Sequence, residues 1–237
     1  MQLRRIRSRA CGFCFGLVSR SRTPPTLGET IRAAQCHSMT TSLIYRSSSL
    51  YELAMLGLYG RHYGSRYRAI ADLIPDGSTV LDLCCGPALL YHRYLKHKAV
   101  HYTGLDVNPK FIDKLTSRGA AGRIWDLRSG TSLPQADYVV MQGSLFHFLP
   151  DAGPVVDRML AAARKQVIIA EPIRNLASSK IRLLALAGKL MTNPGVGSHS
   201  HRFDEASLDR LFSRYSSSVV RSCLIAGGRE KMYVLAR

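Results

Sequence analysis

Two carboxylates and the short loop between them carry the most chemistry in this chain. Asp82 closes the apolar run VLDL, the small-residue stretch Cys84, Cys85, Gly86, Pro87, Ala88 follows, and Asp106 closes GLD about twenty residues later. A strand ending on an acid, a tight turn into a helix, and a second strand ending on an acid form a nucleoside-binding arrangement. In it the turn lets backbone approach the ligand, and the second acid reaches a pair of ribose hydroxyls. The loop also discriminates between ligands. A pyrophosphate prefers three glycines and a helix N-terminus free of negative charge, whereas this loop offers only Gly86 as glycine and places Asp82 at its head. A nucleoside carrying ammonium and sulfonium charges suits it better than a dinucleotide.

These residues need a parallel sheet to position them. Strand-like segments are expected at 79–83, 102–106, 122–125, 138–142 and 167–170, separated by helical material, the pattern of an α/β domain. Ser49 and Glu52 have capping-box spacing and open a helical stretch over 49–74, with Leu53, Leu56, Tyr63, Tyr67 and Ile70 near one face. Gly57, Gly60 and Gly64 predict a kink in it. Asp151 is expected to cap a helix over 152–164 with Pro154 in its first turn, and Asp204 to cap another over 206–215. Two strand-like runs around Gly227 and Gly228 predict a C-terminal hairpin.

The run DLCCGPA, the segment GLDVNP and the later WDLR, ADYVVMQGSLFHF and VIIAEP resemble the successive motifs of class I S-adenosylmethionine-dependent methyltransferases, over roughly Ser48 to the C-terminus. The resemblance implies a Rossmann-like, doubly wound, seven-stranded and mostly parallel sheet whose last strand is antiparallel. It also implies S-adenosyl-L-methionine as cofactor. Asp82, Cys84 and Gly86 would lie along its methionine part, Asp106 with Val107 at the ribose, Asp126 with Leu127 at the adenine, and Gln142 with Gly143 at the closing edge. In such enzymes N-terminal helices cover the cofactor and touch substrate, which points to Tyr59, His62 and Tyr63. Cys84 and Ala88 depart from the family pattern, standing where glycine is usual.

Methyl transfer from a sulfonium is an in-line displacement, so alignment supplies much of the acceleration and a base is needed only for a protonated acceptor. His147, just past the fourth strand, and Glu171, ending the fifth, are the candidate catalytic groups. Phe146 and Phe148 join Tyr63 in an apolar acceptor pocket, which favours a small organic or lipid-like acceptor. RNA is the alternative acceptor. The segment Met141-Gln142-Gly143-Ser144 lacks the D/N-P-P-Y/F pattern of exocyclic-amine methylation, and no cysteine lies between Asp137 and Pro150 for pyrimidine C5 chemistry. A non-catalytic, cofactor-binding assembly factor is a further alternative, supported by Cys84 and Ala88.

The formal net charge is +17, of which residues 1–38 hold +6 and the remainder +11. A basic surface binds phosphate without sequence preference. Residues 1–38 are Arg-rich and acid-poor, matching a transit peptide in composition or an extension upstream of a true start at Met39. Residues 39–237 are expected to form one methyltransferase domain, with a helical cap at 39–77 and a substrate-side insertion at 172–203. The cationic apolar run SSKIRLLALAGKLM within that insertion is read first as a lid, then as core packing or peripheral membrane contact. No apolar run approaches the roughly 18 residues of a membrane span. Cys11-x-x-Cys14 lacks a second pair and His199-x-His201 lies in a glycine-rich stretch, so no metal is expected. Adjacent Cys84 and Cys85 point to a reducing compartment, the cytoplasm or an organelle matrix.

Overall fold

Strands buried on both faces must be apolar on both faces, and VLDL, DYVVM and VIIA are close to continuous apolar runs. In a computed structural model, which describes residues 55–57, 59–174 and 202–237, they form the middle of one sheet. The strands are β1 Thr79–Leu83, β2 His101–Asp106, β3 Ala121–Ile124, β4 Ala136–Gln142, β5 Ala163–Pro172, β6 Val219–Ile225 and β7 Glu230–Ala236. Their order is β3-β2-β1-β4-β5-β7-β6. β1, β2, β3, β4 and β5 pair in parallel, and β7 is antiparallel to both β5 and β6. Strand order reverses between β1 and β4, so a crevice opens beyond Leu83 and its register partner Met141. The expected fold class holds.

Among the described residues, four α-helices cover the faces: α1 Tyr63–Ala71, α2 Pro109–Thr116, α3 Gly153–Ala162 and α4 Glu205–Ser213. Leu81, Leu83, Val139, Met141, Val167 and Ile169 pack with Val156 and Met159 of α3 and Leu208 and Phe212 of α4. The opposite face carries Val80, Tyr102, Val140 and Ile168 against Tyr67 and Ile70 of α1. Each such aliphatic side chain contributes about 1.5–3 kcal/mol through burial. Alternation along β1 therefore turns Asp82 toward the α1 face, with Val80.

Several boundaries differ from the sequence reading. The N-terminal helical stretch breaks at a 3-10 turn, Gly60–His62, where Gly60 has φ +52, and α1 ends at Ala71 rather than at Ile74. Leu56 is exposed, so it does not share the buried face of Tyr63, Tyr67 and Ile70. Asp151 does not cap α3: the N-cap is Ala152, without a side-chain bond, and Pro154 lies in the first turn. α3 stops at Ala162 because Ala163 already pairs with Ala136 as the first rung of β5. At its other end β5 runs on to Pro172 through antiparallel pairing with Glu230. Between β3 and β4 the connection holds only the 3-10 turn Leu127–Ser129. Asp204 does cap α4, in a capping box with Ser207. The readings placed on residues 1–54, on the cationic run of the insertion and on His199-x-His201 lie outside the described residues.

Candidate active site

The loop after β1 keeps a glycine-like backbone at two positions that are not glycine. Cys84, Gly86 and Ala88 have φ of 54°, 53° and 52°. For Cys84 and Ala88 the left-handed conformation costs about 1–2 kcal/mol each, so neighbouring contacts must hold it. The Cys85 amide donates to Leu105 O at 3.1 Å and the Ala88 amide to Cys85 O at 2.9 Å. Ala88 is fully buried. Gly104 on β2 makes the room: a Cβ there would stand 2.8 Å from Cys85 Sγ and 2.7 Å from Leu115 Cδ2. Burial and then the nearby Asp106 carboxylate push the Cys84 thiol up, so it stays protonated.

Asp106 is tied to this loop. Its Oδ2 accepts the Gly86 amide at 2.9 Å and its Oδ1 the Asn108 amide at 2.8 Å. A carboxylate has about four acceptor sites, so Asp106 keeps acceptor capacity for a ribose hydroxyl pair. Asp82 lies deeper, with Oδ2 accepting the Tyr102 hydroxyl at 2.7 Å. Its pKa is pushed up to about 7, first by burial and further by Asp106, against the Tyr102 bond, which lowers it. No basic side chain among the described residues pairs with either acid. Two buried carboxylates without a protein cation fit a ligand that brings its own positive charge.

The remaining sequence candidates occupy distinct positions around the crevice. Val107 is half-exposed, Asp126 is exposed and caps the turn Leu127–Ser129, and Leu127 is buried. Gln142 and Gly143 end β4, where Gln142 Nε2 lies 3.3 Å from both Arg66 O and Glu230 Oε2. Tyr59 and Tyr63 are buried, and the Tyr59 hydroxyl donates to Glu230 Oε1 at 2.5 Å. His62 is half-buried, its ring packed on Gly227. Phe146 is buried beneath the Arg202 guanidinium, 3.3 Å from the ring centroid.

Glu171 and His147 are linked through backbone. Glu171 is fully buried, and its Oε1 accepts the amides of Ser144 and Leu145, both at 2.6 Å. These amides open the 3-10 turn Leu145–Phe148 that carries half-buried His147. Glu171 Oε2 is buried without a hydrogen-bond partner among the described residues. Its pKa is pushed up to about 8, by burial first, while the two amide bonds oppose the shift and Glu230 adds to it.

A buried ion pair was absent from the sequence reading. Arg66 Nη2 meets Glu230 Oε1 at 2.6 Å, with Arg66 stacked over the Tyr59 ring at 4.3 Å. The pair fixes α1 and the start of β7 beside the ends of β4 and β5. Both residues carried a signal: Arg66 falls on the stripe of Tyr63, Tyr67 and Ile70, and Glu230 on the strand face of Met232 and Val234.

The sheet order and the β1–β2 site define a class I methyltransferase fold. Solved structures of that class align with the chain at low identity. The magnesium protoporphyrin IX methyltransferase of Synechocystis PCC 6803, with bound SAH, is 17% identical over 71% of this chain and 78% of its own, with a TM-score of 0.52. An O-methyltransferase family 2 protein of Planctomyces limnophilus, in complex with apigenin, is 15% identical over 89% and 68%, at 0.54. A SAM-dependent methyltransferase of Aquifex aeolicus is 12% identical over 73% and 89%, at 0.51. No curated protein sequence matches. The family model described as methionine biosynthesis protein MetW matches residues 65–195, more than half of the chain, and the chain belongs to that family.

Proposed function

We propose that the protein binds S-adenosyl-L-methionine in the crevice of β1, β2 and β4 and moves its methyl group to a small organic acceptor. The observation that carries this reading is Asp106, whose two oxygens are fixed by the Gly86 and Asn108 amides and keep acceptor capacity for a ribose diol. Buried, cation-free Asp82 supports it, since a sulfonium nucleoside supplies the missing charge. The cofactor would bring an activated methyl group and a neutral thioether leaving group. Residues of the chain would align and desolvate the acceptor: buried Phe146 on one face of the sheet and buried Tyr59 and Tyr63 on the other supply apolar surface, and the end of β4 gives the closing edge. For a protonated acceptor, His147 is the base that takes the proton. Glu171 is then a positioning residue, holding the turn that presents His147 through the Ser144 and Leu145 amides.

Asp106→Ala tests the reading. The substitution removes the diol contact and the tether to Gly86, and cofactor affinity is expected to fall at least tenfold while the circular dichroism spectrum stays unchanged. Unchanged affinity would refute the ribose assignment. A cofactor-binding assembly factor is the second reading, favoured by Cys84 and Ala88, which stand where glycine is usual. Saturable cofactor binding with no methyl transfer to any acceptor in a cell extract would select it.

A further inference from the structure

The ligand end of the sheet has a second charged feature, on the side away from Asp82 and Asp106. The turn between β6 and β7 carries three successive left-handed residues, Ala226, Gly227 and Gly228, with φ of 53°, 66° and 75°. It lies beyond the carboxyl end of β5, because Glu230 at its foot pairs with Pro172. Two chain segments converge on it. A Cβ on Gly227 would stand 2.8 Å from His62 Nε2, and the same nitrogen lies 3.3 Å from Arg61 Nε. From the other side Arg229 O accepts the amides of Ile173 at 3.0 Å and Arg174 at 3.4 Å, and Arg174 Nη2 comes within 3.9 Å of a Cβ position on Gly228. Arg61 and Arg174 thus flank one glycine turn, and both are exposed.

Neither arginine has a carboxylate partner among the described residues. The acids beside the turn are not available to them. Glu230 is buried and bonded to Arg66, Tyr59 and Gln142, and Glu171 is buried against the Ser144 and Leu145 amides. Through Glu230 and Gln142 the turn adjoins the end of β4, the acceptor side of the crevice. Beside Gly227 the His62 ring takes the place of a side chain, whereas beside Gly228 only Arg174 Nη2 comes near, so the two exposed guanidiniums leave space and donors for a planar or tetrahedral anion at Gly228.

We infer that Arg61, Arg174 and the Gly227–Gly228 turn form the specificity element for the acceptor, and that the acceptor carries a carboxylate or phosphate group. The inference rests on the methyl-transfer reading for the word acceptor, but the anion site stands on its own geometry. The guanidiniums hold the charged end of the molecule at the rim, and its remainder reaches toward the end of β4. Specificity then comes from the rim rather than from the reacting atom.

Calorimetric titrations of the full chain with pyrophosphate and, separately, with succinate at low salt test this and distinguish the two anion sources. Saturable binding of either is expected, about tenfold weaker in Arg61→Ala and in Arg174→Ala and weaker still in the double variant. Arg221→Ala, on the exposed edge strand β6, serves as the charge-matched control and should bind as the parent does. Failure of both anions to bind, or equal loss in Arg221→Ala, would overturn the inference. S-adenosylmethionine is titrated in parallel into each variant. If the parent binds an anion but not the cofactor, the methyl-transfer reading fails while the anion site stands.

Discussion

Asp82 offers the sharpest perturbation, because its charge state and the charge of the proposed ligand are coupled. With a pKa pushed up to about 7 in the ligand-free protein, its carboxyl is about one-tenth ionised at pH 6 and about nine-tenths at pH 8. A cation held roughly 5 Å away at an effective dielectric near 20 favours the ionised form by about 3.3 kcal/mol, which lowers the bound-state pKa by about 2.4 units. The sign follows: affinity rises with pH as the free carboxyl loses its proton. The Asp82→Asn variant cannot ionise at this position, so the parent-to-variant affinity ratio cancels the ligand's own titration. That ratio should grow from roughly twentyfold at pH 6 to roughly two-hundredfold at pH 8. Binding to the parent should release about 0.9 proton at pH 6 and about 0.1 at pH 8, relative to the variant. Calorimetry in two buffers of different ionisation heat reads both quantities. A ratio constant within threefold across this range, or no excess proton release at pH 6, would refute the coupling of Asp82 to a bound cation.

Two further substitutions probe the supports of the site. Gly104→Ala would place a methyl group 2.7 Å from Leu115 Cδ2 and 2.8 Å from Cys85 Sγ. A stability loss of about 1–3 kcal/mol in urea denaturation is expected, together with weakened cofactor binding as Cys85 and its loop move. Glu171→Gln keeps the acceptor for the Ser144 and Leu145 amides but cannot ionise. A buried carboxyl raised to about 8 stabilises the fold fully below its unfolded value of 4.5 and loses that contribution as pH rises through 8. The variant should therefore gain stability over the parent with rising pH, by an amount of the order of 2–5 kcal/mol between pH 4.5 and 9. A difference that does not change with pH would mean that Glu171 is ionised throughout.

The parts of the fold legible in the sequence are those where one local signal decides. VLDL sets β1 because an apolar run ending on an acid and a small-residue loop has few other uses, and Asp204 caps α4 through a contact three residues away. β5 was shortened because Arg164 and Lys165 at its start look like a helix end, whereas its pairing with Ala136 and Gln166 with Tyr138 belongs to the tertiary structure. The kink before α1 was visible in its glycines, but the exposure of Leu56 was not, since it depends on what packs over that face.

In the site, the two acids and their order were readable, and the loop's conformation was not. Cys84 and Ala88 stand in place of glycine yet take positive φ, because amide bonds to Leu105 and Cys85 and the gap at Gly104 outweigh the side-chain cost. The Arg66–Glu230 pair joins segments far apart in the sequence; the Tyr59–Glu230 contact beside it spans 171 residues. Only the charged residues within otherwise apolar faces hinted at it. Glu171 was readable as a strand-end acid, while its use as a latch on the His147 turn required the geometry of β4 and β5 together.

The central claim is that the crevice beside Asp82 and Asp106 holds a cationic sulfonium nucleoside. Its most direct test is calorimetric titration of the 237-residue chain with S-adenosylmethionine and, separately, with NAD. Saturable binding of S-adenosylmethionine, lost in Asp106→Ala, with no heat from NAD is the predicted result. Binding of NAD in preference, or of neither ligand, would contradict it.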